Sequence, residues 1–279
     1  MKTKNKNILS LDAGGVKGVY SLHIISYIEK ELNISFSKHF DFLIGTSIGA
    51  VIATNLAYGL SVTEMLNHFK GIKENAHQGQ SSLMTFLFEY IDYIYGTEKI
   101  SAVSKKVFLP IYNSSEKRIT SFGINSNTDD NIKIADVLKA SCSDIRITQP
   151  YNINELKATF VDAGFFAYDP TLFFLRKNID LLNKHTNCLS IGSGLIENFS
   201  NDLNMGYPFD LVYDAIIYEQ FEENTFIFNY LVENKKISYL RVSEFPSSYI
   251  NPLSIDDIIE LALKKANSID RAKLNYFFK

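Results

Sequence analysis

The sequence lacks the features that mark several common protein classes. It has no tryptophan, and it has two cysteines in 279 residues. Cys142 and Cys188 provide neither a disulfide framework nor a repeated Cys-x-x-Cys metal spacing, so a disulfide-stapled or zinc-ribbon fold is excluded. Each cysteine lies among apolar or small residues, which predicts two buried thiols. A chain of this length buries enough surface to fold without such cross-links.

Long apolar runs and an excess of one charge are also missing. No run reaches the roughly 18 apolar residues of a transmembrane helix. The basic segment Met1–Asn7 is not followed by the apolar core of a signal peptide, so we expect a cytoplasmic protein. The 28 basic and 31 acidic side chains give a net charge of −3, which argues against a nucleic-acid partner.

Strand and helix patterns alternate in the first third of the chain. The apolar run Ile8–Leu11 leads into a glycine-rich turn, and apolar residues then recur at helical spacing over 19–32. A second run, Phe42–Ile44, leads into another turn and a helix over Ala50–Tyr58 that ends at Gly59. Repeated strand–turn–helix units predict parallel strands with helical crossovers, and therefore an α/β sheet covered on both faces.

Later segments predict further elements of the same domain, which we take to span residues 1–279 because neither a repeat nor a linker is visible. They are a helix from the capping box Ser61–Glu64 to Phe69, a short helix over Ile134–Ala140, strands at Thr159–Val161 and Cys188–Ile191, and an amphipathic tail over Asp256–Lys279 capped by Ser254. The aromatic segment Leu83–Tyr95 predicts a buried helix or, alternatively, a lid beside an apolar pocket.

Ser47 lies at the centre of Gly45-Thr46-Ser47-Ile48-Gly49, between a predicted strand and a predicted helix. A sharp turn of this kind exposes a serine above the sheet, and the flanking glycines leave room for the neighbouring backbone. Gly45 and Gly49 thus support Ser47 as a candidate nucleophile, which needs a nearby base. The alternative is a glycine-rich turn without chemistry.

A glycine loop follows the first strand, with Gly14, Gly15, Lys17 and Gly18 within five residues. Adjacent glycines let backbone N–H groups face a concavity, as an oxyanion hole requires. A phosphate-binding loop is the competing interpretation, and with it a nucleotide-binding regulator. The spacing fits neither common phosphate motif, because Lys17 is followed by Gly18 and because Ala13 stands where a glycine is required.

The base of the candidate site is not a recognisable histidine. None of the five histidines follows a predicted strand and precedes a glycine turn; they are His23, His39, His68, His77 and His185. Asp162 does so, in Val161-Asp162-Ala163-Gly164, where catalytic groups of α/β sheets gather. A carboxylate can act as the base if burial raises its pKa. The alternative is a turn-forming aspartate.

An α/β-hydrolase with a serine, an acid and a histidine in that order is a competing enzyme class. That fold places several strands before the nucleophile turn. Only 46 residues precede Ser47, which is enough for about two strands.

Three motifs in this order resemble the patatin-like phospholipase family. They are Asp12-Ala-Gly-Gly-Val-Lys-Gly18, Gly45-Thr-Ser-Ile-Gly49 and Asp162-Ala-Gly164, and the resemblance extends over residues 8–195. It implies a three-layer α/β/α sandwich with a mostly parallel central sheet, to which residues 196–279 would add further elements. The local sequence also resembles lipase effectors of bacterial anti-phage systems that cyclic nucleotides switch on.

The resemblance assigns roles to the candidate residues. It implies that Ser47 is the nucleophile and Asp162 the base of a Ser–Asp dyad, while Gly14 and Gly15 donate N–H groups to the oxyanion. Lys17 occupies the position of the family's basic residue, and Gly18 and Gly164 complete the motifs. The implied reaction is hydrolysis of phospholipid or other lipid acyl esters through an acyl-serine, without metal or cofactor and with transient membrane contact. A homo-oligomer or a small-molecule activator is left open.

The chain departs from the family pattern at two places. Ala13 and Ala163 each replace the glycine that follows the motif aspartate, which would strain the turn if those positions need a positive φ. Ser143-Asp144-Ile145 stands where relatives often carry Ala-Pro. The two alanines motivate an alternative function, a catalytically weak fold that acts as a lipid-binding or regulatory module.

Overall fold

The computed structural model describes residues 5–75, 80–103, 106–124, 131–194, 207–243 and 254–278. Its elements, in chain order, are β1 (Lys6–Leu11), α1 (Gly18–Leu32), α2 (Phe36–His39), β2 (Phe42–Gly45), α3 (Ile48–Tyr58), α4 (Val62–Asn75), α5 (Gln80–Tyr95), β3 (Val107–Asn113), β4 (Arg118–Gly123), α6 (Ile134–Ser141), β5 (Tyr151–Ile153), β6 (Ala158–Val161), α7 (Gly164–Ala167), α8 (Thr171–Lys177), β7 (Thr186–Ile191), α9 (Tyr207–Glu233), β8 (Ser238–Val242), α10 (Ile255–Ser268) and α11 (Arg271–Phe277).

The strands form one mixed sheet in the order β5-β6-β3-β2-β1-β7-β8, and β4 also pairs with β3. The central strands β3, β2, β1, β7 and β8 run parallel to one another. The exceptions lie at one side, where β4 and β6 run antiparallel to β3 and β5 runs antiparallel to β6. This arrangement confirms the mostly parallel α/β sheet that the sequence predicts.

Helices cover both faces of the sheet. Alternate strand residues, among them Ile8, Ile44 and Phe108, pack with Phe174 of α8 and Phe228 of α9. Their neighbours along the strands face the other way and join the larger core with α1 and α3; they include Leu9, Leu43 and Leu109. Because side chains alternate between the faces of a strand, apolar residues at consecutive positions serve both layers.

The predicted helices occur with small shifts at their ends. α3 begins at Ile48, two residues earlier than predicted, and α4 continues to Asn75. The capping box that opens α4 is present: the Ser61 N–H donates to Glu64 at 2.7 Å, and the Glu64 N–H donates to the Ser61 hydroxyl at 3.2 Å. Ser254 caps α10 as predicted. The tail then divides in two, because Asp270 caps a separate helix, α11.

The aromatic segment forms α5, which buries one face. Leu87, Tyr90, Ile91 and Tyr95 are buried, whereas Tyr93 is 79% exposed. The helix packs against α4 and α6. The interpretation as a buried helix therefore holds for one face. Among its described side chains, α5 contributes none to the lining of the apolar cavity that contains Tyr112 and Asp162.

Both cysteines are buried free thiols, as predicted. Within the ranges given above, no helix combines the length and the apolar character needed to cross a bilayer.

Candidate active site

Ser47 occupies a sharp turn between β2 and α3. Its backbone has φ 56° and ψ −125°, a combination that L-residues rarely adopt. The turn is tight enough to require its glycines: a Cβ on Gly45 would lie 2.2 Å from the Gly49 carbonyl oxygen, and a Cβ on Gly49 would lie 2.4 Å from the Leu11 carbonyl oxygen. Ser47 is 7% exposed. The strand, turn and helix predicted around Ser47 are thus confirmed as local structure.

Sheet register brings Asp162 to Ser47. Because β4 occupies one edge of β3 over 108–113, β2 and β6 share the other edge. β2 runs parallel to β3 and pairs with its start, whereas β6 runs antiparallel and pairs with its end. The C-terminal ends of β2 and β6 therefore point towards each other along this edge. When the two registers are continued past the strand ends, Ser47 and Asp162 both fall opposite Ile111 of β3. Asp162 follows a strand, as predicted, but that strand is antiparallel.

Hydrogen bonds hold Asp162 in place beside Ser47. The Gly164 N–H donates to Asp162 Oδ1 at 2.7 Å, and the Asp162 N–H donates to the Ser143 carbonyl oxygen at 2.9 Å. Asp162 is therefore fixed by its side chain and by its backbone. The Ser47 side chain lies close enough to lower the pKa of the Asp162 carboxyl group.

Burial of its carboxyl group raises the pKa of Asp162 to about 7, and the charge of Asp144 acts in the same direction. The neighbouring Ser47 side chain, the hydrogen bond from the Gly164 N–H and the charge of Arg146 act to lower this pKa. A carboxylate in this range can accept a proton at neutral pH more readily than an exposed aspartate.

Residues at the end of α6 and just after it lie beside Ser47. The Ser47 N–H donates to the Ser141 hydroxyl at 3.1 Å. The Ser47 side chain also lies beside the thiol of Cys142, and burial raises the pKa of this thiol well above its usual value. Cys142 is thus a neutral thiol beside the serine, a position that its apolar sequence context did not indicate.

The glycine loop lies against the serine turn. The Thr46 N–H donates to the Leu11 carbonyl oxygen at 3.3 Å, at the start of the loop. Gly14 has φ 149°, and a Cβ there would lie 2.3 Å from Ser193 Oγ. Gly15 has φ 56° and open space beside its Cα. The N–H groups of Gly14 and Gly15 donate to no acceptor among the described residues, so they are available to an oxygen atom of a ligand.

Lys17 is buried beside this loop. Its Nζ lies 3.4 Å from the Tyr168 hydroxyl, which in turn lies 3.1 Å from Ser193 Oγ. Gly18 follows at the start of α1, where a Cβ would meet Ile48 of α3 at 2.5 Å. The motif glycine thus lets the first helix pack closely against the helix that Ser47 begins.

The alanines that replace motif glycines are not strained. Ala163 has φ −86°. Ala13 is not among the described non-glycine residues with positive φ. It is fully packed, and a Cβ on Gly164 would lie 3.6 Å from its methyl group. The expected strain is therefore absent, because neither position uses the conformation that would require glycine.

Sequence reasoning missed an ion-pair network behind the glycine loop. Arg241 on β8 donates to both carboxylate oxygens of Asp12, at 2.7 and 2.5 Å, and to Ser190 Oγ at 2.5 Å. Its Nη1 also lies 3.3 Å from Asp169 Oδ2. Burial raises the pKa of Asp12 to about 7, and Arg241 opposes that rise. Arg241 is a single arginine in a strand and belongs to no recognisable motif. The sequence therefore offered no indication that it pairs with Asp12.

A cavity of about 230 Å³ opens beside Asp162. Its lining is mostly aromatic and aliphatic and consists of Tyr112, Asp144, Ile145, Val161, Asp162, Gly164, Phe165, Phe166 and Tyr213. The ring of Phe166 stacks on that of Tyr112, with centroids 4.9 Å apart. An apolar cavity with a few polar groups at one end is typical of a site for a small apolar ligand or side chain.

The histidines lie in other parts of the molecule. His39 packs on Phe278 and His68 on Tyr90. His23 lies on α1, His185 precedes β7, and His77 is outside the described residues. Over the described ranges, no group of three or more histidine, cysteine, aspartate or glutamate side chains is arranged to hold a metal ion.

The layered fold, the serine turn and the glycine loop define a class of α/β proteins with a serine-centred site. The sequence matches the patatin-like phospholipase family over residues 9–175, and the chain belongs to that family. The fold is also similar to that in the crystal structure of VipD from Legionella pneumophila, with a TM-score of 0.53 and 13% identity over 99% of this chain and 67% of that one.

Two relatives are bacterial enzymes with named activators. A cGAMP-activated phospholipase of Escherichia coli (strain TW11681) is 25% identical over 67% of this chain and 61% of its own length. A cUMP-AMP-activated phospholipase of Escherichia coli is 24% identical over 94% of this chain and 87% of its own length. The match thus spans less than two thirds of the first relative.

Proposed function

We propose that the protein is a lipid acyl hydrolase that cleaves carboxylic esters through an acyl-serine intermediate, with Ser47 as nucleophile and Asp162 as base. The observation that carries this proposal is the placement of the Ser47 side chain beside the buried carboxyl group of Asp162, whose pKa burial raises to about 7. Family membership supports the general class of reaction.

The proposed first step is attack of Ser47 Oγ on the ester carbonyl carbon while Asp162 takes the hydroxyl proton. The carbonyl oxygen gains negative charge, which the N–H groups of Gly14 and Gly15 would stabilise. The bond to the alcohol then breaks, and the proton on Asp162 passes to the leaving oxygen. Water, activated by the same carboxylate, releases the fatty acid and restores Ser47.

The cavity beside Asp162 supports an acyl chain as the bound group. Its aromatic lining would favour a hydrocarbon chain over a polar group, since burial of apolar surface is worth about 25 cal/mol per Å². Phospholipid and neutral-lipid esters both present such a chain next to a cleavable carbonyl. We therefore assign the cavity to the acyl part of the substrate.

Covalent labelling tests the assignment of the nucleophile. A fluorophosphonate probe should label the wild-type protein, fail to label Ser47→Ala, and label Asp162→Asn at least a hundredfold more slowly, because loss of the base removes a typical factor of 10²–10⁴. The half-buried Ser37 and the exposed Asp180 provide matched controls, Ser37→Ala and Asp180→Asn. Persistent labelling of Ser47→Ala would refute the assignment.

Release of fatty acid from phospholipid and neutral-lipid vesicles, compared with Ser47→Ala, tests the reaction itself. Vesicle binding without release by the wild type would favour the alternative of a lipid-binding module. That alternative was motivated by Ala13 and Ala163, and the relaxed backbone at Ala163 weakens it.

Regulation by a small molecule is a further part of the proposal. Two relatives are named for activation by cyclic dinucleotides. We therefore propose that such a molecule stimulates this protein. The assay is fatty-acid release with cGAMP or cUMP-AMP added, and unchanged release with either would argue against activation by these two nucleotides.

A further inference from the structure

The end of α6 and the connection that follows it bind both members of the proposed pair. The Ser141 hydroxyl, on the last residue of α6, accepts the N–H of Ser47, and the Ser143 carbonyl oxygen accepts the N–H of Asp162. Cys142, between them, lies beside the Ser47 side chain. Three consecutive residues therefore help to fix the relative position of two residues that follow different strands.

The same connection carries an ion pair beside Asp162. Arg146 donates from Nε and Nη2 to Asp144, with its Nη2 2.5 Å from Asp144 Oδ2, and its backbone N–H donates to Asp144 Oδ1 at 2.9 Å. The arginine side chain is 4% exposed and that of Asp144 is 15% exposed. The guanidinium group stacks on the ring of Tyr213 at 3.6 Å. The pair is therefore rigid and screened from water.

Several titratable groups face Asp162. Cys142, Asp144, Arg146, Tyr168 and Tyr213 all interact electrostatically with its carboxyl group. Burial raises the pKa of Cys142, Tyr168 and Tyr213, so these groups are neutral at neutral pH. The ion pair supplies the charges in this set.

We propose that residues 141–146 form a positioning element for the proposed catalytic pair, and that the Asp144–Arg146 ion pair sets the pH at which Asp162 becomes a base. Asp144 disfavours a second negative charge nearby, and Arg146 favours it. Asp144 raises the pKa of Asp162 and Arg146 lowers it. The ion pair between them also keeps each side chain in place. This inference rests on the proposed role of Asp162 and lies where the chain departs from the family pattern.

Opposite shifts in a pH profile test this inference. The labelling rate of Ser47 by a fluorophosphonate, followed against pH, should have its acidic midpoint about one unit lower in Asp144→Asn and about one unit higher in Arg146→Met. Arg146→Lys should restore the midpoint towards that of the wild type, because it keeps the positive charge. A purely structural role would lower the rate without moving the midpoint.

The exposed pair Glu116–Arg118 provides matched controls. It has the same spacing along the chain, a separation of 2.6 Å, and side chains that are 49% and 71% exposed. Glu116→Gln and Arg118→Met should leave the midpoint unchanged. If Asp144→Asn leaves the midpoint in place, or if both site variants move it in the same direction, the inference is wrong.

A second measurement needs no activity. The ¹³C shift of the Asp162 carboxyl carbon, assigned with Asp162→Asn, reports its ionisation directly and should shift its midpoint in the same directions. If wild-type Ser47 resists labelling while the carboxyl midpoint still moves, the proposed function fails and the electrostatic inference stands. If Arg146→Met does not fold, the test rests on the midpoint of the carboxyl titration in Asp144→Asn. A midpoint equal to that of the wild type would then overturn the inference.

Discussion

Ser47 is held in a backbone conformation that typically costs about 1–3 kcal/mol, and such strain persists only where the surrounding structure imposes it. Here the constraint comes from both sides: β2 pairs with β1 up to Gly45, and α3 begins immediately after Ser47. The strain lies on the one residue whose side chain must project from the turn, while Gly45 and Gly49 allow the close backbone contacts.

The raised pKa of Asp162 affects the stability of the protein as well as its proposed role as a base. Its pKa is raised from 3.8 to about 7 by burial first and by Asp144 second. The folded state therefore holds a proton over a pH range in which the unfolded state has lost it. The free energy of unfolding must then decrease as the pH rises between these values.

We predict that Asp162→Asn is more stable than the wild type at pH 7, although it should react at least a hundredfold more slowly with the probe. The stability difference should be small near pH 4, grow as the pH rises to about 7 and remain constant above it, because the amide carries no charge to bury. Urea unfolding at several pH values measures the difference. The exposed Asp180→Asn should show no such dependence, and a variant less stable than the wild type at neutral pH would contradict the prediction.

Two helices contribute aromatic side chains to the wall of the proposed acyl site. The short helix α7 begins two residues after Asp162 and carries Phe165 and Phe166. The long helix α9 contributes Tyr213, which packs edge-on against Phe165 at 4.6 Å. The proposed base and the α7 part of the wall therefore belong to one continuous segment. A change in the wall should alter the binding of the acyl chain more than the chemistry.

We expect Phe166→Ala to raise KM for long-chain esters roughly fivefold, which corresponds to about 1 kcal/mol of lost apolar contact, and to leave kcat and short-chain esters nearly unchanged. Phe166 is 55% exposed, so stability should change little. Phe226→Ala on α9, at a phenylalanine that is 73% exposed and outside the cavity, is the matched control. Equal effects of the two variants on KM would contradict the assignment.

At the scale of the whole molecule, an ion pair links strand β8 to the glycine loop that follows β1. Arg241 on β8 pairs with Asp12 at the end of β1 and reaches Asp169 before α8. The family match ends at residue 175, so this arginine lies outside it. A buried carboxylate requires a partner, and the C-terminal region provides one for the glycine loop.

Arg241→Met should lower the free energy of unfolding by about 3–5 kcal/mol, because it leaves Asp12 and Asp169 buried without their cation. Urea denaturation measures this loss. The matched control is Arg271→Met, which removes an exposed pair with Glu31 at 3.0 Å and should cost less than about 1 kcal/mol. Asp12→Asn combined with Arg241→Met should recover part of the loss. Similar losses in the two single variants would show that the network does not stabilise the fold.

The sequence by itself determined the local structure of the site. The alternation of apolar runs with glycine turns was enough to predict the strands and helices around Ser47 and the glycine loop, because those turns depend on residues within a few positions. It also correctly predicted a mostly parallel sheet and two buried thiols. Ala13 and Ala163 were a concern that only backbone torsion angles could resolve.

Only the tertiary structure decided which distant residues meet. Ser47 and Asp162 come together because β2 and β6 share one edge of β3 and run in opposite directions, a matter of strand register that no local pattern records. The same holds for Arg241 and for the Asp144–Arg146 pair, whose effects depend on burial and on charges from other elements. Local sequence sets backbone geometry, whereas pairing across the sheet sets the electrostatics of the site.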